Sequence, residues 1–190
     1  APLITSEGDD RAASMSPDGT SILYFSTAND EEDQLLYQFS LKDQTSTLID
    51  VGEIRFTDPY PVTWSPDGKW IAFGASQHGN SDIFRLNLDS GAIEQLTDDA
   101  ADDLLPAWSP DGRWIAFSSR RDGRLNLYRM RPDGSNVERL TDDYAFDLYP
   151  AWSPLIESVW EPKLLIGIAW VLGMMIVLLS FALRQRNSAG

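Results

Sequence analysis

The 190-residue chain is acidic, with 29 Asp and Glu against 15 Lys and Arg, and residues 1–163 hold all 29 acids but only 13 of the bases, a net charge of −16. Such a surface repels nucleic acid and anionic lipid headgroups. Hydrophobic residues at 43% and aromatics at 11% supply a core and exclude a disordered segment, and the absence of cysteine excludes disulfides and thiolate metal sites.

The chain opens on Ala1 rather than Met, as after removal of a signal peptide or of an initiator methionine. Leu3, Ile4 and Thr5 resemble the later pairs Leu96-Thr97 and Leu140-Thr141, so the sequence starts on the last strand of a repeat. Ser16, Ser65, Ser109 and Ser153 each precede a proline, at intervals of 49, 44 and 44 residues. A period in the forties is the mark of a repeat architecture with four short strands per unit.

In the first unit, residues 16–19 make a turn in which Pro17 presets φ and Gly19 accepts a positive one. Strands are predicted over residues 21–25, 35–41 and 46–49. The acidic run at 29–33 lacks the alternating carboxylates and central glycine of a calcium loop, and reads as solvated. The next two units are the most regular. Trp64 matches Trp108, Trp70 matches Trp114, Ile71 matches Ile115, Phe73 matches Phe117 and Phe84 matches Tyr128, all at an offset of 44. Strands are predicted at 62–65, 70–75, 83–88 and 93–97, repeating 44 residues on, with the tryptophans buried between blades. The 70–75 strand is apolar on both faces, as expected of a sheet packed between two neighbours.

These repeats resemble those of the TolB-type, WD-like propeller family, which also occur in prolyl-oligopeptidase-like and tricorn-like peptidases. The resemblance covers residues 2–154. It rests on residues 106–112 (PAWSPDG), residues 114–118 (WIAFS) and residues 121–123 (RDG), with Leu127-Tyr128 and Arg139-Leu140-Thr141. The repeat residues are Trp64, Pro66, Asp67, Gly68 and Trp70, then Trp108, Pro110, Asp111, Gly112 and Trp114, then Trp152. The resemblance implies an all-β partial propeller of three four-stranded blades with flanking strands, and a binding platform or a propeller gating a separate hydrolase. Closed propellers have four to eight blades. The shortfall fits a piece of a longer chain, or an open edge covered by a partner or by self-association.

After Trp152, Leu155 and Ile156 replace the expected Asp-Gly, and residues 155–163 read as a linker. Residues 164–183 are twenty uncharged residues, twelve of them Leu, Ile, Val or Phe. As a helix they would span about 30 Å, a bilayer core, so a transmembrane helix is expected here. Ala169, Gly173, Ile176 and Ser180 would then share one face, three of them small, suited to packing on a partner helix. Arg184 and Arg186 in the tail, residues 184–190, against Lys163 place the C-terminus in the cytoplasm and the propeller on the periplasmic side.

No chemistry-bearing constellation emerges. The single histidine, His78, aligns with the turn residue Asp122, and residues 74–79 do not have GxSxG spacing. Asp98, Asp99, Asp103, Asp142, Asp143 and Asp147 recur on equivalent loops, as turn and cap acceptors or as an acidic rim for a basic partner. The sequence thus points to a non-catalytic interaction module, with no cofactor or metal, in a single-pass membrane subunit of a respiratory, photosynthetic or transport complex. The alternative is a membrane-tethered propeller of a peptidase or of a longer TolB-like protein.

Overall fold

The computed structural model describes residues 10–27, 34–56, 62–76, 79–142, 147–153, 164–169 and 176–179. Three four-stranded antiparallel sheets follow the repeats, each a meander with strands neighbouring in chain order. Blade 1 holds β1 (Asp10–Met15), β2 (Ser21–Thr27), β3 (Gln34–Ser40) and β4 (Thr45–Leu48). Blade 2 holds β5 (Thr63–Trp64), β6 (Trp70–Ser76), β7 (Ser81–Asn87) and β8 (Ile93–Gln95). Blade 3 holds β9 (Asp103–Trp108), β10 (Ile115–Ser119), β11 (Asn126–Met130) and β12 (Glu138–Arg139). A fourth, three-stranded sheet joins β13 (Pro150–Trp152), β14 (Leu164–Ala169) and β15 (Ile176–Leu179).

The second strand of a blade is buried on both faces because it has a blade on either side: Ile71, Ala72, Phe73 and Ala75 are all 1% exposed or less. Alternation then assigns each face to one neighbour. Ile71, Phe73, Phe84 and Leu86 pack with Leu23, Phe25 and Leu36 of blade 1, whereas Ala72 and Ile83 pack with Ile115, Phe117, Tyr128 and Met130 of blade 3. Each blade carries one stacked aromatic pair across its two middle strands. The pairs are Tyr24 on Tyr37 at 5.6 Å, Phe73 on Phe84 at 6.0 Å and Phe117 on Tyr128 at 5.8 Å between ring centroids. In all three the partners are directly opposite in the register. Phe56, on the connection between blades 1 and 2, wedges between Phe25 and Phe73 at 4.7 and 5.4 Å.

The Ser-Pro-Asp-Gly turns join first to second strand identically. In blade 2 the Ser65 hydroxyl donates to Asp67 Oδ1 (2.6 Å) and accepts from Trp70 N (2.9 Å), while Gly68 N donates to Ser65 O. Gly19, Gly68 and Gly112 all sit at φ 70°, as the turn reading requires. The inner strands hold a feature the sequence did not announce. Ala12, Leu105 and Tyr149, equivalent in the repeat, have φ of 53°, 56° and 58°. The β1/β2 and β9/β10 registers shift beside the first two, so each is a bulge with a left-handed residue.

Two expectations need correction. Of the repeat tryptophans only Trp108 is buried, at 9%, while Trp64, Trp70, Trp114 and Trp152 are half-buried. Their indoles span the blade margins, with one edge on backbone or guanidinium and the other toward solvent. The transmembrane helix expected over residues 164–183 is not what the described residues form. Leu164 lies opposite Trp152, and Ala169 lies opposite Ile176 in an antiparallel hairpin rather than beside it on a helix face. Gly173 and Ser180 lie outside the described residues. No helix among the described residues is long and apolar enough to cross a membrane. The physical reason is the unpaired edge of β13, whose backbone groups need a ladder partner. An apolar run rich in Leu, Ile and Val meets that need, and hydropathy alone does not separate a helix from two paired strands.

Phe73→Ala, which removes a side chain packed against both Phe56 and Phe84, should lower unfolding free energy by about 3–5 kcal/mol in urea titration. A second comparison isolates a blade contact. Gly123 and Gly134 have nearly the same φ, 81° and 82°, but a Cβ at Gly134 would lie 2.7 Å from the Leu96 carbonyl oxygen while one at Gly123 meets nothing within 4 Å. Gly123→Ala should cost about 1–2 kcal/mol from backbone strain alone. Gly134→Ala should cost clearly more, measured the same way.

Candidate interaction surfaces

Three sets of polar side chains stand out on the blades. The first lies where β9 starts. Asp103 is fully buried, directly opposite Ser119, which is in turn opposite Asn126. Arg121 ties the row together: it donates to Asp103 Oδ2 (2.8 Å) and Ser119 Oγ (2.9 Å), and its guanidinium lies over the rings of Phe117 and Tyr128 at 5.4 and 5.0 Å. Tyr128 donates a short hydrogen bond to Asp122, which also pairs with Arg139 at 3.2 Å. Burial, then the Asp122 carboxylate, push the Tyr128 phenol up to about 12.

The second set surrounds Asp82 on β7. Its carboxylate accepts from Gln95 Nε2 (3.0 Å) and Thr97 Oγ1 (3.4 Å), and Thr97 Oγ1 also accepts from Ile83 N (2.9 Å). Thr141 repeats that last bond to Leu127 N at 3.0 Å. Burial, then the charge of Asp103, push Asp82 up to about 6. In contrast, Asp67 is held below the usual carboxylate range by the Ser65 hydroxyl, and Asp18 likewise by Ser16.

The third set is at the outer margin. Arg85 lies 4.3 Å over the Trp70 ring and pairs with Glu94 at 2.6 Å. Its repeat equivalent Arg129 lies 4.1 Å over Trp114 and pairs with Glu138 at 2.6 Å, and Arg131 adds a second guanidinium 4.0 Å from the same ring. These stacks were not foreseen from the sequence. The signal was present at the 44-residue offset between Arg85 and Arg129, but the stacking depends on cross-strand neighbours that a linear reading does not pair.

Several acids of the expected rim are committed within the fold. Asp99 Oδ1 accepts from Ala101 N, Asp102 from Ser81 N and Asp103 from Arg121, while Asp147 is buried at 2%. The turn-and-cap reading therefore holds for Asp99 and Asp103. Asp143, His78 and the acidic run at 29–33 lie outside the described residues, as do Leu3, Ile4 and Thr5. The repeat residues Pro66, Asp67 and Gly68 stack against those of the next blade, Gly112 lying against Pro66 at 3.7 Å when given a Cβ. Among the described residues no group of three His, Asp or Glu is placed to hold a metal.

Asp82 has a pH consequence. Because its carboxyl is raised in the folded state, the folded chain binds a proton that the unfolded chain does not between about pH 4 and 6. Its contribution therefore becomes less favourable as pH rises through that window and is fully unfavourable above it. Asp82→Asn keeps the acceptor for Thr97 and should be more stable than the parent at pH 7.5. That difference should vanish by pH 4 in paired denaturation curves.

With the geometry in place, the comparisons with known proteins fall into line. A family model described as the TolB beta propeller domain matches residues 59–160. An uncharacterized protein, Atu1656 of Agrobacterium fabrum (strain C58), is 43% identical over 91 residues, 48% of this chain and 29% of that one. TolB from Acinetobacter baumannii superposes with a TM-score of 0.67 at 22% identity, over 94% of this chain and 45% of that chain. A structure from a study of two prolyl endopeptidases superposes with a TM-score of 0.56 at 13% identity, over 84% of this chain and 24% of that chain. The chain thus spans less than half the length of these relatives. With over half its residues matched by the family model and its blades built as described, the chain belongs to the TolB beta propeller domain family.

Proposed function

We propose that this chain is a non-catalytic interaction module, a propeller segment that holds other proteins in a larger membrane-associated assembly. The observation that carries this reading is the construction of its blades. Each sheet is apolar on both faces and is finished at its margin by charged and aromatic groups, so the fold is organised to receive neighbours rather than to activate a nucleophile. Membership in the TolB beta propeller domain family supports a platform role. The uncharged stretch 164–183 supports attachment to a bilayer or another apolar surface, with the propeller on the periplasmic side and the arginine-bearing tail, Arg184 and Arg186, in the cytoplasm. A respiratory, photosynthetic or transport complex would suit such an accessory subunit.

A second reading, a propeller attached to a peptidase whose hydrolase lies elsewhere, draws support from the likeness to the prolyl endopeptidases. One experiment separates the two. Membranes from cells producing the tagged chain are washed with alkaline carbonate, solubilised in mild detergent and purified. Retention through the wash and stoichiometric co-purification of other subunits are expected. Recovery in the soluble fraction without partners would sink the membrane-module reading, and recovery with a covalently continuous or bound hydrolase would favour the second.

A further inference from the structure

The junction between blades 2 and 3 is a template for what blade 3 offers in turn. Across that junction the hairpin turn between β11 and β12 lies on blade 2. Gly134 sits so close to Leu96 that an added Cβ would be 2.7 Å from its carbonyl oxygen, and Leu96 is buried to 9% exposure. The same turn carries Asp133, held below its usual range by the Ser135 hydroxyl first and by the charge of Arg85 as a smaller contribution. At the junction between blades 1 and 2, Gln38 and Asp89, the equivalents of Arg85 and Asp133, line one groove. The rule is that a polar residue on the third strand faces the turn acid of the following blade.

Forty-four residues after Arg85 and Leu96, blade 3 presents Arg129 and Leu140 on the corresponding outer face. Leu140 is less buried than Leu96, and Arg129 keeps a third of its side chain exposed. Blade 3 also departs from blade 2 by adding charge. Asn87 caps its own turn through bonds from Asp89 N and Ser90 N, but its equivalent Arg131 turns onto Trp114 and forms no ion pair among the described residues. Residues 103–142 hold seven arginines against six carboxylates, an excess found in neither of the preceding blades. The chain itself does not supply the matching acid: the position equivalent to Asp133 is Lys42 in blade 1, and 44 residues on it is Val177. A second copy laid head to tail would set an ammonium against two guanidinium groups.

We propose that Trp114, Arg129, Arg131 and Leu140 form a docking surface for a β-hairpin turn bearing a carboxylate, contributed by a partner protein. The inference rests on the interaction-module reading and narrows it to one surface and one partner chemistry. Aspartate or glutamate at the turn pairs with guanidinium groups already stacked on an indole and therefore already ordered, which lowers the entropy lost on binding.

The test uses the full chain and a cyclised peptide of residues 81–97, whose turn carries Asp89 in the position of Asp133, with an Asp89→Lys peptide as control. Calorimetry at low salt should show binding of the first peptide only, weakened about tenfold by Arg131→Gln and unaffected by Lys42→Gln. Arg131→Glu should reverse the preference toward the lysine peptide, which shows that the variant is folded and that charge is the determinant. Equal affinity for both peptides, no binding of either, or binding indifferent to residue 131 would overturn the proposal. So would light scattering that finds the chain self-associating through this face. None of these outcomes bears on whether the chain is retained in a membrane assembly.

Discussion

Everything in this fold depends on one constraint: a blade must be apolar on both faces of its middle strands, because another sheet lies against each. Phe73 and Phe84 show how this is met. They stack on each other across β6 and β7 and jointly fill the space between blades 1 and 2, with Phe56 as a wedge. The opposite face of the same strands uses the small Ala72 beside Ile83, which lets the large Phe117 and Tyr128 of blade 3 come close. Large residues on one face and small on the other give every blade a fitting front and back. That asymmetry is what lets a 44-residue unit repeat, since the front of each unit is complementary to the back of the one before it.

The margins of the blades serve a different end from the core. Ser-Pro-Asp-Gly turns close on themselves through Ser hydroxyl to Asp bonds, such as Ser109 to Asp111 at 2.6 Å, and keep their carboxylates ionised. Buried acids at the other end of the strands are balanced less evenly. Asp103 has Arg121, whereas Asp82 relies on the neutral Gln95 and Thr97 and feels Asp103 as a like charge. Polar groups are therefore satisfied mostly within one blade, and apolar contacts join blade to blade. The outer guanidinium-indole stacks are the exception, since Arg85 lies on its own Trp70 yet also influences Asp133 of the next blade.

The sequence made much of this legible because repetition supplies its own alignment. β6, β7 and β8 begin within two residues of their predicted starts, and the offset pairing of Trp64 with Trp108 located each turn. Three things were not legible. The left-handed residues Ala12, Leu105 and Tyr149 are of types that ordinarily avoid positive φ, so only a tertiary bulge forces them there. β1 was missed as a strand because Asp10 to Met15 alternates small and polar residues, and pairing with β2 supplies what propensity does not. The stretch 164–183 reads as a membrane helix on length and hydropathy, but those quantities say nothing about an unpaired neighbouring edge. Pro150, Ala151 and Trp152 provide that edge, and β14 pairs with it residue by residue.

The fourth sheet shows how a repeat protein ends when its pattern fails. Trp152 still donates its indole N–H to Ala107 O at 2.8 Å, as Trp64 does to Ser14 O at 3.3 Å, so the inner strand is seated like its predecessors. What changes is the next strand. The Asp-Gly after Pro154 is replaced by Leu155 and Ile156, and β14 carries Leu164, Leu165, Ile166 and Ile168 with no charged residue among them. A strand with that composition covers an edge but leaves no polar margin of the kind that Arg85 and Glu94 give blade 2. The charged outer face of blade 3 is thus followed by a sheet that offers it no carboxylate, and the mismatch is electrostatic rather than steric. An arginine pair stacked on an indole keeps its charge available where its own chain provides no acid, so the end of the repeat is also where its surface becomes selective for something outside it.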